Sequence, residues 1–360
     1  MSKNNKFSSV SMAIGAALLF GISATLSKAL LGSIQPTPLA SLLYLGCGLG
    51  VLLFKLSRTL FIKDKHSETG IAKRDLPWLA GVILTGGVAA PIILMFSLKT
   101  TSASTASLLL NFEAVSTALI AALFFKESLG KRIWVSIAVI TGAAVILTWD
   151  NTGEWGLSIG AVGIIFACLL WGADNNLTRM VSLKDPLMIT MIKGFGAGAV
   201  SLIISFFTAA VFPGFGIILL ALLLGAFSYG ISNVLFILAL RELGAARTSA
   251  FFGTAPFIGS IISVVFLGEI PAMQFFISLP IMVIGAILII GEKHEHIHVH
   301  DILEHDHKHR HDDLHHIHKH EDGFMGEHSH SHVHEKFVHE HPHMPDIHHR
   351  HKHTKSRKLL

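Results

Sequence analysis

The chain is 360 residues long, 51% hydrophobic and only 14% charged, with a formal net charge of +4. Soluble domains carry about 25% charged residues, whereas here long apolar runs follow one another from residue 9 to residue 291. A run of about 18 or more apolar residues can cross a bilayer as a helix. The composition therefore excludes an ordinary soluble fold and favours an all-α integral membrane protein.

Ten apolar segments predict ten transmembrane helices, in chain order, with short polar connections such as SIQPTP and SLKDP between them. The longest connection follows the second helix. The predicted helices cover residues 9–32, 37–56, 76–98, 101–125, 132–149, 156–178, 187–210, 215–239, 246–267 and 272–291.

Basic residues predict the orientation, because they concentrate on the cytoplasmic side of a membrane protein. With the N-terminus inside, the inner connections hold most of the Lys and Arg, including Lys55, Lys131, Arg132, Arg179 and Lys184. We therefore expect a multi-pass protein of the cell (inner or plasma) membrane, with both chain ends in the cytoplasm.

The two halves of the membrane region repeat each other. LFG-x-x-x-x-LSK (Leu19–Lys28) recurs as LWG-x-x-x-x-LTR (Leu170–Arg179), and Thr105–Glu127 recurs as Arg247–Glu269. Each repeat holds five helices, an odd number, so the second must insert upside down relative to the first. Inverted repeats are typical of secondary transporters, whose binding site lies near the midplane between the halves. A duplicated membrane protein without a pathway is the alternative.

Two glycine pairs, Gly46/Gly50 and Gly194/Gly198, occupy matching places in the repeats. Four-residue spacing puts small residues on one helix face and lets helix backbones approach closely. A nucleotide-binding loop is not expected, because no strand precedes either pair.

With these features the halves resemble the EamA domains of the drug/metabolite transporter superfamily. The resemblance rests on Phe20-Gly21 and Trp171-Gly172 at matching helix positions, and on two matched helices that end in Glu. Ala114 replaces the proline that usually stands in the fourth helix, so a kink is less expected there than at Pro256.

The resemblance implies two inverted five-helix EamA repeats, at 9–149 and 156–291, that carry a small solute without ATP. The residues 293–360 form a His-rich tail that is not part of the family pattern. No nucleophile–base set or phosphate loop occurs in the sequence, so neither an enzyme nor a nucleic-acid partner is expected, and no cofactor is required.

Glu113 is the strongest candidate for coupling, because a charge in mid-bilayer is a functional-site hypothesis by default. Apolar surroundings favour the neutral form of a carboxyl group, so Glu113 could load and release a proton. A structural carboxyl group bonded to Asn111 is the alternative.

Asp174, Asn176 and Lys193 are further candidates. Asp174 matches Ser23 of the first repeat, and Asn176 matches Thr25, which suits a site on the pseudo-symmetry axis. The alternative is a helix end at the interface, with Arg179 reaching outward. Lys193 would neutralise Asp174 or Glu113, or bind an anionic group of the solute.

Trp171, Tyr229 and Asn233 are candidate cavity walls. Glu127 and Glu269 end matched helices, and we expect them to make loop and capping contacts and not to bind the solute.

Every histidine except His66 lies in the tail, in H-x-H alternation with acidic and basic residues. Imidazole suits Zn, Ni, Co and Cu, while the low content of large apolar residues predicts disorder. The named candidates for metal ligands are His294, His296, His298, His300, His305, His307, His309 and His311.

The leading hypothesis is a secondary transporter of a small metabolite or drug-like solute, coupled to protons, with a metal-binding tail. A divalent-metal (Zn, Ni or Co) exporter supplied by the tail is the alternative within transport. A membrane-bound metal buffer or sensor without transport is the alternative from another class.

Overall fold

The structure is a computed structural model. It describes residues 3–61, 70–125, 129–149, 158–182, 184–243, 248 and 251–290, together with residues 294–299, 303–309, 328–334 and 338–343 of the tail.

The described membrane region is helical throughout, and we number its spans 1 to 10. Eight helices are long and apolar enough to cross a membrane and two are shorter, which confirms the ten predicted helices. The spans are Lys3–Leu30, Pro36–Phe61, Lys73–Thr100, Ala103–Phe124, Lys131–Thr148, Ile159–Val181, Pro186–Phe207, Phe215–Leu243, Ala255–Leu267 and Met273–Ile290.

Matched spans run in opposite directions. The ammonium group of Lys28, at the end of span 1, donates to the carbonyl oxygen of Thr101. Gly160, at the start of the equivalent span 6, packs against the side chain of the same Thr101. The end of one span and the beginning of its counterpart thus lie together, as inversion requires. Below, the end of the bundle where span 1 begins is the N-terminal side, and the opposite end is the far side.

Spans 3 and 8 each contain a π-helical segment near the middle. The segments are Ile83–Ala89 and Gly225–Ile231. Their first residues are as far apart in the sequence as Thr105 and Arg247, so they occupy equivalent positions in the two repeats. Because π turns inside α-helices are frequent at functional sites, the two matched segments are places where a site is expected.

Span 4 is interrupted at residues 110–111, between the helices Ala103–Leu109 and Phe112–Phe124. Span 9 follows a turn at residues 253–254 and begins at Ala255, next to Pro256. The reduced expectation of a kink in span 4 was therefore wrong. The side chain of Asn111 donates to the carbonyl oxygen of Leu108 at 3.0 Å, which helps to satisfy the backbone at the interruption without a proline.

The glycine pairs pack as the sequence predicted. A Cβ atom on Gly46 would overlap the backbone of Leu222, and one on Gly50 would lie 2.5 Å from the Cβ of Ala226. In span 7 a Cβ on Gly194 would lie 2.5 Å from the amide nitrogen of Gly48. Span 2 is therefore held closely between spans 7 and 8, and these three helices form one side of the central site.

The described residues of the tail form four short strands, and the disorder expected of the tail as a whole stays a prediction. Strand β1 (His294–Val299) pairs antiparallel with β4 (Val338–His343), and β2 (Leu303–His309) pairs antiparallel with β3 (His328–His334). Strict alternation is the period of a β-strand, and the H-x-H pattern of these segments has that period. Of the named histidines, His300 and His311 lie outside the described residues.

Candidate functional site

A central cavity lies where spans 1, 2, 4, 6, 7, 8 and the segment before span 9 meet. Aromatic rings form much of its wall, and many are in mutual contact. They are Phe20, Tyr44, Trp171, Tyr229, Phe236 and Phe252.

Asp174 and Lys193 form an ion pair at the edge of this cavity. The ammonium group of Lys193 donates to the Asp174 carboxylate at 2.5 Å, and both side chains are buried. The Thr178 hydroxyl approaches the other carboxylate oxygen at 3.4 Å. Of the roles open to Lys193, the structure shows neutralisation of Asp174. A buried pair of this kind leaves little net charge at that part of the wall.

Glu113 also lines the cavity, but its partner is neutral. Asn175 donates through its side-chain amide to Glu113 at 2.8 Å, and to the Thr117 hydroxyl at 3.2 Å. Among the described residues, no Lys, Arg or His lies within ion-pair distance of Glu113. The alternative partner considered from the sequence, Asn111, does not hold this carboxyl group.

The π segment of span 3 supplies a backbone acceptor to the cavity wall. The carbonyl oxygen of Gly86 accepts from the Tyr44 hydroxyl at 2.6 Å and from the Trp171 indole N–H at 3.1 Å. A Cβ on Gly86 would overlap the Asp174 carboxyl group. Glycine at this place thus allows the acidic side chain and two aromatic donors to converge.

Tyr229 presents its hydroxyl group differently. It is buried, and its oxygen has no hydrogen-bond partner of normal geometry among the described residues, although it faces the Ser23 hydroxyl. An unpaired buried hydroxyl group costs free energy unless something bonds to it. Tyr229 and Asn233 both lie in the cavity wall, and their solute-binding role stays a prediction.

Two of the candidate solute-binding residues, Asn111 and Asn176, donate hydrogen bonds to backbone carbonyl groups. Asn176 is buried and donates to the carbonyl oxygens of Gly172 and Thr117 at 2.8 and 3.0 Å. Asn111 bonds Leu108, as described above, and borders a smaller adjoining cavity that shares Glu113. Successive residues of a helix point in different directions, which explains why Asn175 is in the cavity wall and its neighbour Asn176 is not.

The interfacial interpretation of this helix end differs from the structure as well. Arg179 is buried, with its guanidinium carbon 5.7 Å from the ring centre of Phe125. Arg179 therefore packs inside the bundle and does not extend outward.

The cavity lies toward one side of the bundle. Its lining residues come from the middle of each span or from the half on the N-terminal side, such as Lys193 early in span 7 and Asn233 late in span 8. Among the described residues, the far halves of spans 4 and 9 contribute none of the lining residues, and span 1 contributes Phe20 near its middle. The cavity of this structure therefore lies nearer the N-terminal side.

Comparison with known proteins decides the family. The model of the EamA-like transporter family matches residues 7–149 and 158–291, which is most of the chain. The chain belongs to the EamA-like transporter family. This EamA-like protein is thus a multi-pass membrane transporter whose partners include a small-molecule solute and the lipid bilayer.

Relatives agree with this assignment. An uncharacterized transporter of Methanothermobacter thermautotrophicus is 29% identical over 291 residues, which cover 77% of this chain and 84% of the relative. An uncharacterized transporter of Clostridium kluyveri is 27% identical over 241 residues, covering 63% and 76% of the two chains. A solved crystal structure matches with a TM-score of 0.59 at 18% identity, over 78% of this chain and 95% of its own, which supports the fold alone.

Sequence reasoning missed several cavity residues. Phe20 was used only to recognise the repeat, while Tyr44, Phe252 and Ser232 were not considered as wall residues, and Asn175 was not assigned a role. Asn175 could have been found from the sequence, because it is a polar residue directly after Asp174 in a mostly apolar helix. The aromatic residues gave no such signal, because Phe is common throughout the apolar spans.

Proposed function

We propose that this EamA-like protein is a secondary transporter that carries a small metabolite or drug-like solute through the central cavity, with Glu113 as the group that binds the coupling proton. The observation that carries the proposal is the difference between two carboxyl groups. Asp174 has Lys193 as its counter-ion, whereas the partner of Glu113 among the described residues is the neutral amide of Asn175. A proton on Glu113 can therefore change the net charge of the site.

The charge balance also favours a class of solute. Among the described residues, the charged side chains that line the cavity are Glu113, Asp174 and Lys193. Because Asp174 and Lys193 cancel, the site is neutral when Glu113 is protonated and negative when it is ionised. An anionic solute gains nothing from such a site, while a neutral or singly positive solute suits it. Aromatic rings such as Trp171 and Tyr229 favour the same class through cation–π and apolar contact.

The membrane and the orientation are part of the proposal. Lys55 and Lys184 lie on the N-terminal side of the bundle, where each is close to an aspartate. Together with the other basic residues of that side, they favour a cytoplasmic location for both chain ends in the cell (inner or plasma) membrane.

We further propose that the tail binds Zn, Ni, Co or Cu through histidines such as His294, His296 and His298. The alternation of imidazole groups with acidic residues supports this property. In the described membrane region, by contrast, no group of three or more His, Cys, Asp or Glu is arranged to hold a metal ion. A metabolite carrier with a metal-binding tail is therefore favoured over a carrier of divalent metal, and also over a buffer or sensor without transport.

The test uses the full chain reconstituted in vesicles that contain a pH-sensitive dye. Neutral, singly positive and negative small solutes are added in turn, and proton movement is measured. We expect movement with a neutral or positive solute, its loss in Glu113→Gln, and partial retention in Glu113→Asp. Undiminished proton movement in Glu113→Gln would remove Glu113 from the coupling mechanism.

A further inference from the structure

Two charged side chains hold the turn between spans 3 and 4 at the far side of the bundle. Lys28, at the end of span 1, donates to the carbonyl oxygens of Thr101 at 2.9 Å and Lys99 at 3.4 Å, and also to that of Leu98. These carbonyl groups belong to the last turn of span 3 and the residue after it. The Lys28 ammonium group thus caps the C-terminal end of that helix.

Glu269 holds the other half of the same turn. Its two carboxylate oxygens accept from the backbone amides of Ala103 and Ser104 at 2.7 and 2.8 Å. These amides begin span 4. Glu269 itself follows Gly268, whose positive φ of 63° ends span 9. The capping contact that was predicted for Glu269 is therefore made with a different span.

Each contact has the sign that the helix dipole favours. Cations stabilise the carbonyl end of a helix and anions stabilise its amide end, and hydrogen bonds to charged groups are stronger than neutral ones. Lys28 belongs to the first repeat and Glu269 to the second. The turn is therefore tied to one helix from each half of the molecule.

The far halves of the same three spans are closely packed beneath this turn. The Thr25 hydroxyl donates to the carbonyl oxygen of Gly259 at 3.0 Å, and the Ser260 hydroxyl lies 3.2 Å from the carbonyl oxygen of Ser104. A Cβ on Gly259 would lie 2.5 Å from the carbonyl oxygen of Gly21. Spans 1, 4 and 9 therefore seal the far side, above the cavity residues Phe20 and Glu113.

We propose that Lys28 and Glu269 are the far-side gate residues of transport: both release the turn between spans 3 and 4 when the cavity opens to that side. The inference rests on the proposed function, because a carrier must expose its site to each side in turn. Separation of spans 1, 4 and 9 opens the cavity at its sealed end. Polar contacts at the end of the bundle can be exchanged for water, unlike the apolar contacts at its centre.

The test measures which side is open, by thiol labelling. Cys47 and Cys168, both buried, are replaced, and a reporter cysteine is placed at Ser107 or at Asn233. Ser107 is buried in the sealed half, with no hydrogen-bond partner for its hydroxyl among the described residues. Asn233 lines the cavity. A membrane-impermeant maleimide is applied to each face of sealed vesicles that hold the full chain.

Lys28→Met and Glu269→Gln are expected to increase labelling at Ser107→Cys by about tenfold or more, since each removes charge-assisted hydrogen bonds. The same variants should decrease labelling at Asn233→Cys. Lys28→Arg should restore the parent pattern. Lys99→Met is the matched control, because Lys99 is an exposed cation at the same turn whose side chain holds no partner in the described structure.

Labelling that increases at both reporter positions would mean that the two residues only maintain the fold, and it would overturn the proposal. Unchanged labelling at both positions in both variants would overturn it as well. The measurement needs neither a solute nor a proton gradient. Failure of the gate is therefore distinguishable from failure of Glu113 as the coupling residue.

Discussion

Lys193 donates to Asp174 at 2.5 Å across spans 6 and 7, and only 8% and 5% of the two side chains is exposed. Each member justifies the burial of the other, since a single charge in this place would have no compensation. The pair therefore contributes to the stability of the fold as well as to the wall of the cavity.

We expect Asp174→Asn and Lys193→Met to lower the stability of the folded protein by about 3–5 kcal/mol each, because each leaves an uncompensated buried charge. The double variant should recover most of that loss. Thermal unfolding of the four proteins in detergent checks this as a double-mutant cycle. Additive losses in the double variant would show that the two side chains are not energetically coupled.

The two tyrosines of the chain should respond differently to removal of the hydroxyl group. Tyr44→Phe deletes a hydrogen bond to the carbonyl oxygen of Gly86 and should cost about 1 kcal/mol of stability. Tyr229→Phe deletes a hydroxyl group that has no partner of normal geometry among the described residues, so stability should be unchanged while the apparent KM for the solute rises. Melting temperatures and transport kinetics of both variants provide the comparison. A stable Tyr44→Phe beside an unstable Tyr229→Phe is the reverse of what we expect.

Close helix approach at span 2 predicts a contrast between two glycines. Gly46→Ala should destabilise by about 1–3 kcal/mol, because the methyl group meets the backbone of Leu222 and overpacking forces the helices apart. Gly142→Ala in span 5 is the control, since a Cβ there meets nothing within 4 Å. It should stabilise the helix by up to about 1 kcal/mol. Equal melting temperatures for the two variants would argue against the packing interpretation.

Removal of residues 293–360 should leave solute transport intact and abolish high-capacity binding of Zn or Ni. The spans bury their own core, and the histidines lie almost entirely in the removed segment. Vesicle transport and equilibrium dialysis with the metal ion check the two parts. Loss of solute transport in the shortened protein would contradict an independent tail, and loss of metal tolerance alone in cells would favour the metal-exporter alternative.

Apolar run length and repetition allowed the helix number, the inversion and the family to be predicted from the sequence. Glu113, Asp174 and Lys193 were noticed for the same reason, since a charged residue within an apolar run is conspicuous. Their convergence in one cavity agrees with the midplane site expected of an inverted repeat, while their roles in transport stay predictions.

The partners of these residues were not predictable. Whether Lys193 meets Asp174 or Glu113 depends on the rotation of span 7 about its axis, and no pattern within a uniformly apolar helix fixes that rotation. The π segments of spans 3 and 8 carry no clear sequence signal either. The backbone hydrogen bonds of Asn111 and Asn176 were not predictable either, because a polar residue within a membrane helix can bond its own backbone as readily as a ligand.

The interruption of span 4 and the turn before span 9 lie at matched places in the two copies of the repeat. One copy has Gly253 and Pro256 at the positions where the other has Asn111 and Ala114, and a side-chain amide that bonds Leu108 helps to do in the first copy what an imino acid does in the second. Substitutions at these four positions should therefore be tolerated as matched exchanges within a copy more readily than singly.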